Sequence, residues 1–301
     1  MIPSLENWGM MKASDLISTP EDTAKAFALQ ALRKTDLALS YLDAAEEFEF
    51  RLGKLGDVNE IINDESIRVE LLTSVGISDK AKKYFNSESA KRYVEEIVKK
   101  IESQSSDNLK NDLVNRFLLT SGDSMGGRSR NLIGREGGDR LIQFVRESLE
   151  KERIVYDIRT NAQEKITALT WKNRAMLFDV KPSWIGKNID VILLKDLQNQ
   201  NAISLRENPG AFLACGEIKG GADPAGSDEH WKTARSALER ISASFKEVES
   251  ERPKLFFAGL SIVPGVATEI VEHLGVGKLN RAANLARVEQ VSQLAEWLIT
   301  L

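Results

Sequence analysis

In Phe212-Leu213-Ala214-Cys215-Gly216-Glu217-Ile218-Lys219 a carboxylate and an ammonium stand two residues apart at the end of an apolar run. Successive side chains of a strand alternate between its faces. Leu213, Cys215, Glu217 and Lys219 are therefore expected on one face, and Phe212, Ala214, Gly216 and Ile218 on the other, in the core. Burying an acid and a base without purpose costs free energy. A second carboxylate, Asp190, opens another apolar run (Ile189–Leu194), 27 residues before Glu217. Neighbouring strands lie about 4.8 Å apart, so the two acids can meet across a sheet and share one hard cation. Past Lys219 a glycine-rich stretch with Asp223 leads to Asp228, Glu229 and His230, one of two histidines in the chain.

This is equipment for phosphodiester hydrolysis. Magnesium prefers near-octahedral oxygen ligation by one or two carboxylates, waters and a substrate phosphate. Asp190, Glu217 and the main-chain carbonyl of Ile218 are the candidate protein oxygens. A cation held there would offset charge developing on the phosphate and acidify a bound water. Lys219 could orient that water and stabilise the transition state. His230, eleven residues on, could take its proton, because imidazole titrates near neutrality. The spacing alone is weak: acid-x-Lys recurs by chance, and Asp179-Val180-Lys181 is a decoy at the end of another apolar run. The plainer alternatives are a solvated Glu217–Lys219 pair on an edge strand and a His230 that merely sits in a helix start capped by Ser227 and Asp228.

The elements that would position these groups are legible. Thr19-Pro20-Glu21-Asp22 marks a helix start, with Thr19 as N-cap and Pro20 at the first helical position. Leucines and alanines follow toward Gly53, in one long helix or two. In 84–101, Val94, Ile97, Val98 and Ile101 repeat at helical spacing. Residues 117–134, with Gly122, Gly126 and Gly127 among Ser, Asp and Arg, read as a loop, and 138–152 as a helix. Arg128, Arg130 and Arg135 could clamp DNA phosphates from that loop, or the loop could be an ordinary solvated one. From 165 onward, short apolar runs at 168–171, 175–180, 189–194, 211–219 and 254–263 read as strands. Residues 228–247, 266–274 and 287–300 read as helices, and 279–285 as a short last strand. The expected fold is α/β: a mixed-sheet catalytic domain over 121–301 behind a mainly helical region over 1–120.

Composition bounds the rest. The 301 residues are 42% hydrophobic and 29% charged, enough for a packed core. No apolar run approaches the roughly 20 residues of a membrane helix, so no membrane partner is expected. The start of the chain lacks the features of a secretion signal, and the single cysteine, Cys215, points to a reducing cytoplasm. A net charge of −4 argues against a protein that coats nucleic acid but leaves room for a nuclease. Ser121, Asp123 and Ser124 are not read as a serine-hydrolase site, and with no P-loop in the sequence ATP-driven movement is not expected either. Trp171, Trp184 and Trp231 read as packing residues, and His273 as a helix C-terminal residue.

Asp190 with Glu217-Ile218-Lys219 resembles the PD-(D/E)xK nuclease core. The longer strings GEIKGGADPAGSDEHWKTA and FLLTSGDSMGGRSRN resemble the AvaI/BsoBI family of type II restriction endonucleases. The likeness is strongest over 117–134 and 186–263, less than half the chain. It implies that Asp190, Glu217 and Lys219 are the metal and catalytic positions and that His230 is a general base. It implies that Asp223 reads bases, although Asp223 also suits the turn Ala222–Gly226. The departure is Ile189 before Asp190 in place of the motif's proline, a proline often missing in the superfamily. The family implies a magnesium-dependent homodimer that closes around double-stranded DNA. Its site would be a palindrome of the degenerate CYCGRG kind, protected in the host by a methyltransferase. A repair or recombination nuclease on the same core and a noncatalytic DNA-binding module are the alternatives.

Overall fold

The computed structural model describes residues 11–104, 108–195 and 202–301, without the side chains of 130–135, 202 and 203. It divides into two compact units, Leu29–Leu132 and the remainder. The sequence suggested a single boundary near 120; instead residues before Leu29 belong with the sheet-bearing unit.

The helical elements in chain order are α1 (Ala13–Leu16), α2 (Pro20–Lys54), α3 (Val58–Asn63), α4 (Arg68–Ser74), α5 (Asp79–Lys82), α6 (Ser87–Gln104) and α7 (Leu109–Lys151). Helix α2 begins where expected. The Thr19 N–H donates to Asp22 Oδ2 at 2.8 Å and the Asp22 N–H donates to Thr19 Oγ1 at 3.1 Å, a reciprocal capping box. The Leu29–Leu132 unit closes over Phe48, Leu52, Ile61, Leu71, Val94, Val98, Leu113 and Phe117.

Residues 117–134 are not the expected loop: they lie inside α7. Glycine costs a helix about 1 kcal/mol relative to alanine. Burying one large apolar side chain is worth about 1.5–3 kcal/mol. Leu113 and Phe117 are buried in one cluster and Leu141, Ile142, Val145 and Leu149 in another, so both flanks hold helical backbone through the glycines.

The other unit is built on a seven-stranded sheet in sequence order: β1 (Tyr156–Thr160), β2 (Ile166–Trp171), β3 (Arg174–Val180), β4 (Ile189–Leu194), β5 (Phe212–Lys219), β6 (Lys254–Gly259) and β7 (Arg281–Asn284). Strands β1 to β5 form an antiparallel meander, whereas β5, β6 and β7 run parallel. The remaining helices are α8 (Ala202–Leu205), α9 (Ser227–Glu247), α10 (Pro264–Gly275) and α11 (Val288–Thr300). Helices α9 and α10 are the parallel crossovers and bury Trp231, Leu238, Ile241, Phe245 and Ile270 on one sheet face. The C-terminal part of α7 and helix α11 cover the other face with Leu141, Val145, Leu149, Leu294 and Leu298. The mixed α/β fold expected from the alternating runs is therefore present; β1, with a mostly exposed polar pattern, was not foreseen.

Strand β5 is buried on both faces, not one. Cys215 packs with the α9 side, while Ala214 and Ile218 pack with the α7 side. A register shift at Leu193/Leu194, opposite Leu213, breaks strict alternation. It puts Phe212 on the Cys215 face and Leu213 against the opposite cluster. Gly216 is dictated by contact: a Cβ there would stand 2.0 Å from Cζ of Phe256.

Candidate active site

Strand β4 pairs antiparallel with β5 through Val191 opposite Gly216, so one step further Asp190 faces Glu217 across the ladder. Asp190 Oδ2 accepts the Ile218 N–H at 2.7 Å. Lys219 Nζ lies 3.0 Å from Glu217 Oε2 and 3.5 Å from Asp190 Oδ2. The three charged side chains predicted to act together are thus in mutual contact. The N–H and C=O of a strand residue point to the same side. The Ile218 carbonyl therefore faces β4, the side on which Asp190 stands.

Electrostatics explain why this arrangement is not ordinary packing. The Glu217 side chain is 5% exposed. Burial, then the nearby charge of Asp190, push its pKa up to about 7, against the pull of Lys219. Burial opposes charge on Lys219 as well, but the two carboxylates outweigh it and hold the ammonium above its usual value. Two acids and one base carry one excess negative charge when all are ionised. A divalent cation would remove that excess. Among the described residues no three His, Cys, Asp or Glu side chains are grouped to hold a metal. The groups that could supply donors are instead two carboxylates and a main-chain oxygen, a set that would suit a hard cation keeping several of its waters. Asp190 and Ile218 line a cavity of about 190 Å³ together with Asp139, Lys165 and Asp179. Asp179 remains outside the catalytic contacts: it accepts from Asn188 and pairs with Lys165. Its presence at the cavity wall was not anticipated, and neither was that of Asp139, which comes from α7.

His230 sits in the first turn of α9. Its ring presses on Gly221, where a Cβ would stand 2.1 Å from Cε1. Only glycine leaves room for the imidazole over the chain two residues past Lys219. Burial, reinforced by Lys219, lowers the His230 pKa, so the ring is neutral at pH 7. Its Nδ1 is buried without a protein partner. Trp231, the next residue, fixes the helix: it is 1% exposed, donates to Glu269 Oε2 at 2.8 Å and meets Phe257 edge-on. Trp171 is buried too, and Trp184 packs edge-on against Phe212 and Phe245, as packing residues should. His273 lies in the last turn of α10 with its ring against Trp231.

The candidate DNA contacts are less concentrated. Asp223 is exposed and caps the turn Pro224–Gly226 by accepting the Ala225 N–H at 2.9 Å, which leaves its second oxygen uncommitted among these bonds. Arg128 lies on α7 in the Leu29–Leu132 unit, 3.4 Å from Asp79 and over the Tyr41 ring. The side chains of Arg130 and Arg135 lie outside the described residues.

A strand-borne acid facing an acid-x-Lys motif on a mixed sheet defines a nuclease core of the restriction-endonuclease kind. The sequence profile described as "Restriction endonuclease BsobI" matches residues 9–301. The type II restriction enzyme AvaI of a Nostoc species is 32% identical over 305 residues, spanning 95% of this chain and 96% of its own. AvaI of Anabaena variabilis matches equally well. The type II restriction enzyme BsoBI of Geobacillus stearothermophilus is 29% identical over 314 residues, 97% of each chain. The chain belongs to the BsobI restriction endonuclease family. It is accordingly an enzyme, and a noncatalytic binding module is set aside. No helix among the described residues is long and apolar enough to cross a membrane.

Proposed function

We propose that the protein is a cytoplasmic type II site-specific deoxyribonuclease that cuts both strands of a short palindrome in duplex DNA by magnesium-dependent phosphodiester hydrolysis. The observation that carries this reading is the contact set Asp190–Lys219–Glu217, with Glu217 held buried and short of neutralising charge. Asp190, Glu217 and the Ile218 carbonyl would hold the metal, which would offset charge on the phosphate and acidify a water. Lys219 directs its ammonium at the scissile phosphate side of the two carboxylates and orients the attacking water. His230, neutral and with a free buried Nδ1, takes the proton from that water. Asp223 accepts a hydrogen bond from a base edge, a role that suits cytosine N4 in the major groove and a CYCGRG-like site. Arg128, Arg130 and Arg135 contact phosphates, and the helical region embraces DNA or joins two copies.

A homodimer matches a palindrome because the two-fold of the protein mirrors that of the site. Protection of host DNA by a partner methyltransferase follows from the restriction role. The test is digestion of unmethylated phage DNA with wild type and Lys219→Ala, each with and without magnesium. Discrete fragments from wild type with magnesium alone are expected, and sequencing their ends gives the site. A preference for branched or damaged DNA over every intact palindrome would replace this reading with a repair nuclease.

A further inference from the structure

The segment before α2 carries none of the chemistry-bearing residues, yet it is bonded into the sheet end that holds them. Ser18 is the joint. Its hydroxyl donates to the Leu260 carbonyl at 3.1 Å and accepts the Ile262 N–H and the Asn284 Nδ2–H, both at 3.0 Å. One donor and two acceptors exhaust a hydroxyl's capacity. The Ser18 N–H also donates to the Ile262 carbonyl at 2.9 Å. Asn284, the last residue of β7, is fully buried and holds the Leu16 carbonyl with the same amide nitrogen at 2.8 Å.

The loop that Ser18 grips, residues 260–263, is bonded to both halves of the site. The Leu260 N–H donates to the carbonyl of Lys219 at 2.9 Å. The hydroxyl of Ser227, buried at the start of α9, donates to the Ser261 carbonyl at 2.9 Å and accepts the Val263 N–H at 3.2 Å. Ser227 lies one helical turn before His230. One short loop therefore ties the backbone of Lys219 to the helix that carries His230, and Ser18 is the side chain that fixes the loop from outside.

We propose that Ser18 is a positioning residue for cleavage, acting through the 260–263 loop on Lys219 and His230. The inference rests on the reading of those two residues given above. Removing the hydroxyl leaves a carbonyl and two N–H groups short of a partner, and the loop shifts to recover them. A misplacement of about 1 Å at reacting groups costs about 100-fold in rate.

The experiment measures kcat and KM separately on an oligonucleotide carrying the cleaved site, with magnesium, well below the melting temperature. Wild type, Ser18→Ala and Ser18→Thr are compared. Ser18→Ala is expected to lower kcat by about 10- to 100-fold with KM changed less than about threefold. Ser18→Thr, which keeps the hydroxyl, is expected to restore most of kcat. Wild-type kcat in folded Ser18→Ala, or a loss that Ser18→Thr does not repair, overturns the proposal. If Ser18→Ala does not fold, Ser227→Ala tests the same loop from its other end: a loss confined to kcat supports the proposal, and an unchanged kcat overturns it. A wild type without metal-dependent cleavage refutes the parent reading and this one with it. A wild type matched by both alanine variants refutes this one alone.

Discussion

Glu217→Gln should destroy cleavage and yet stabilise the metal-free protein, by an amount that grows with pH. The carboxyl has a pKa near 7 in the fold, raised first by burial and then by Asp190, against an ordinary value of 4.5. A group whose folded pKa is raised contributes stability below its unfolded pKa and loses it as pH rises through the folded one. Wild type therefore weakens between pH about 4.5 and 7, whereas the glutamine, which does not titrate, does not. Each pKa unit is worth about 1.4 kcal/mol, so the rise from 4.5 to about 7 makes the full difference about 3–4 kcal/mol by pH 8. At about 2–4 °C per kcal/mol that is a gap of several degrees. The assay is thermal melting of both proteins in EDTA from pH 5 to 8.5. The curves should coincide near pH 5 and separate steadily above it, Glu217→Gln being the more stable. Adding magnesium at pH 8 should raise the wild type by mass action and leave the variant nearly unmoved. A gap independent of pH, or a variant less stable at pH 8, would refute the claim that Glu217 is held ionised at a cost that a cation offsets. Cleavage by the variant should fall by at least about 100-fold, beyond the loss typical of disturbing a ligand's supporting hydrogen bond.

Other outcomes follow from the same geometry. The magnesium concentration that half-activates cleavage should rise about tenfold per pH unit below 7, because one proton must leave Glu217 before the metal binds; a flat dependence in a titration series would argue for a different ligand. His230→Ala should cost about 10²- to 10⁴-fold in rate at pH 7 with DNA affinity retained in a gel-shift assay, and full activity would remove the imidazole from the mechanism. Gly221→Ala should cut the rate by displacing the His230 ring while melting within a degree or two of wild type, since the three nearest atoms it meets all belong to that ring; an unaltered rate would show that the ring need not lie there. Gly216→Ala drives a methyl into the Phe256 ring and should destabilise by about 1–3 kcal/mol in urea unfolding, whatever it does to cleavage.

The sheet was legible because its strands are apolar runs bounded by turn residues, and burial on both faces keeps such runs short and unbroken. Asp190, Glu217 and Lys219 stood out for the same reason: charge inside an apolar run needs a cause. Strand β1 escaped because Tyr156-Asp157-Ile158-Arg159-Thr160 is almost wholly exposed and pairs on one side only. The glycines of α7 misled because local propensity is a weak term against burial at both flanks of one helix. The face of Phe212 and Leu213 could not be foreseen, since one irregular pairing opposite Leu213 reverses everything before it. Ser18 and Asn284 left no signal at all, and Ser227 read only as a helix cap, whereas its hydroxyl bonds the 260–263 loop instead. Small polar residues are common, and their value here comes from partners up to 268 positions away, such as the Leu16 carbonyl held by Asn284.

The site stands where the sheet changes direction, and that placement has a physical cause. The end of β5 that carries Glu217 and Lys219 lies beside the start of β4, because that pair is antiparallel, and beside the end of β6, with that of β7 one strand further, because those pairs are parallel. From β4 comes Asp190, the first charged group of a strand still open to solvent at that end. From β5 itself the chain turns directly into α9, whose first turn brings His230 and a partial positive charge suited to a phosphate. From β6 comes the 260–263 loop that ties Lys219 to Ser227. A wholly antiparallel sheet would put a hairpin turn where that loop leaves. A wholly parallel one would put the start of β4, and Asp190, at the far end of β5. Only the junction brings a second acid, a helix start and a bracing loop to one strand end, which is why three charges can be held together there, Glu217 buried and Asp190 and Lys219 partly open to solvent.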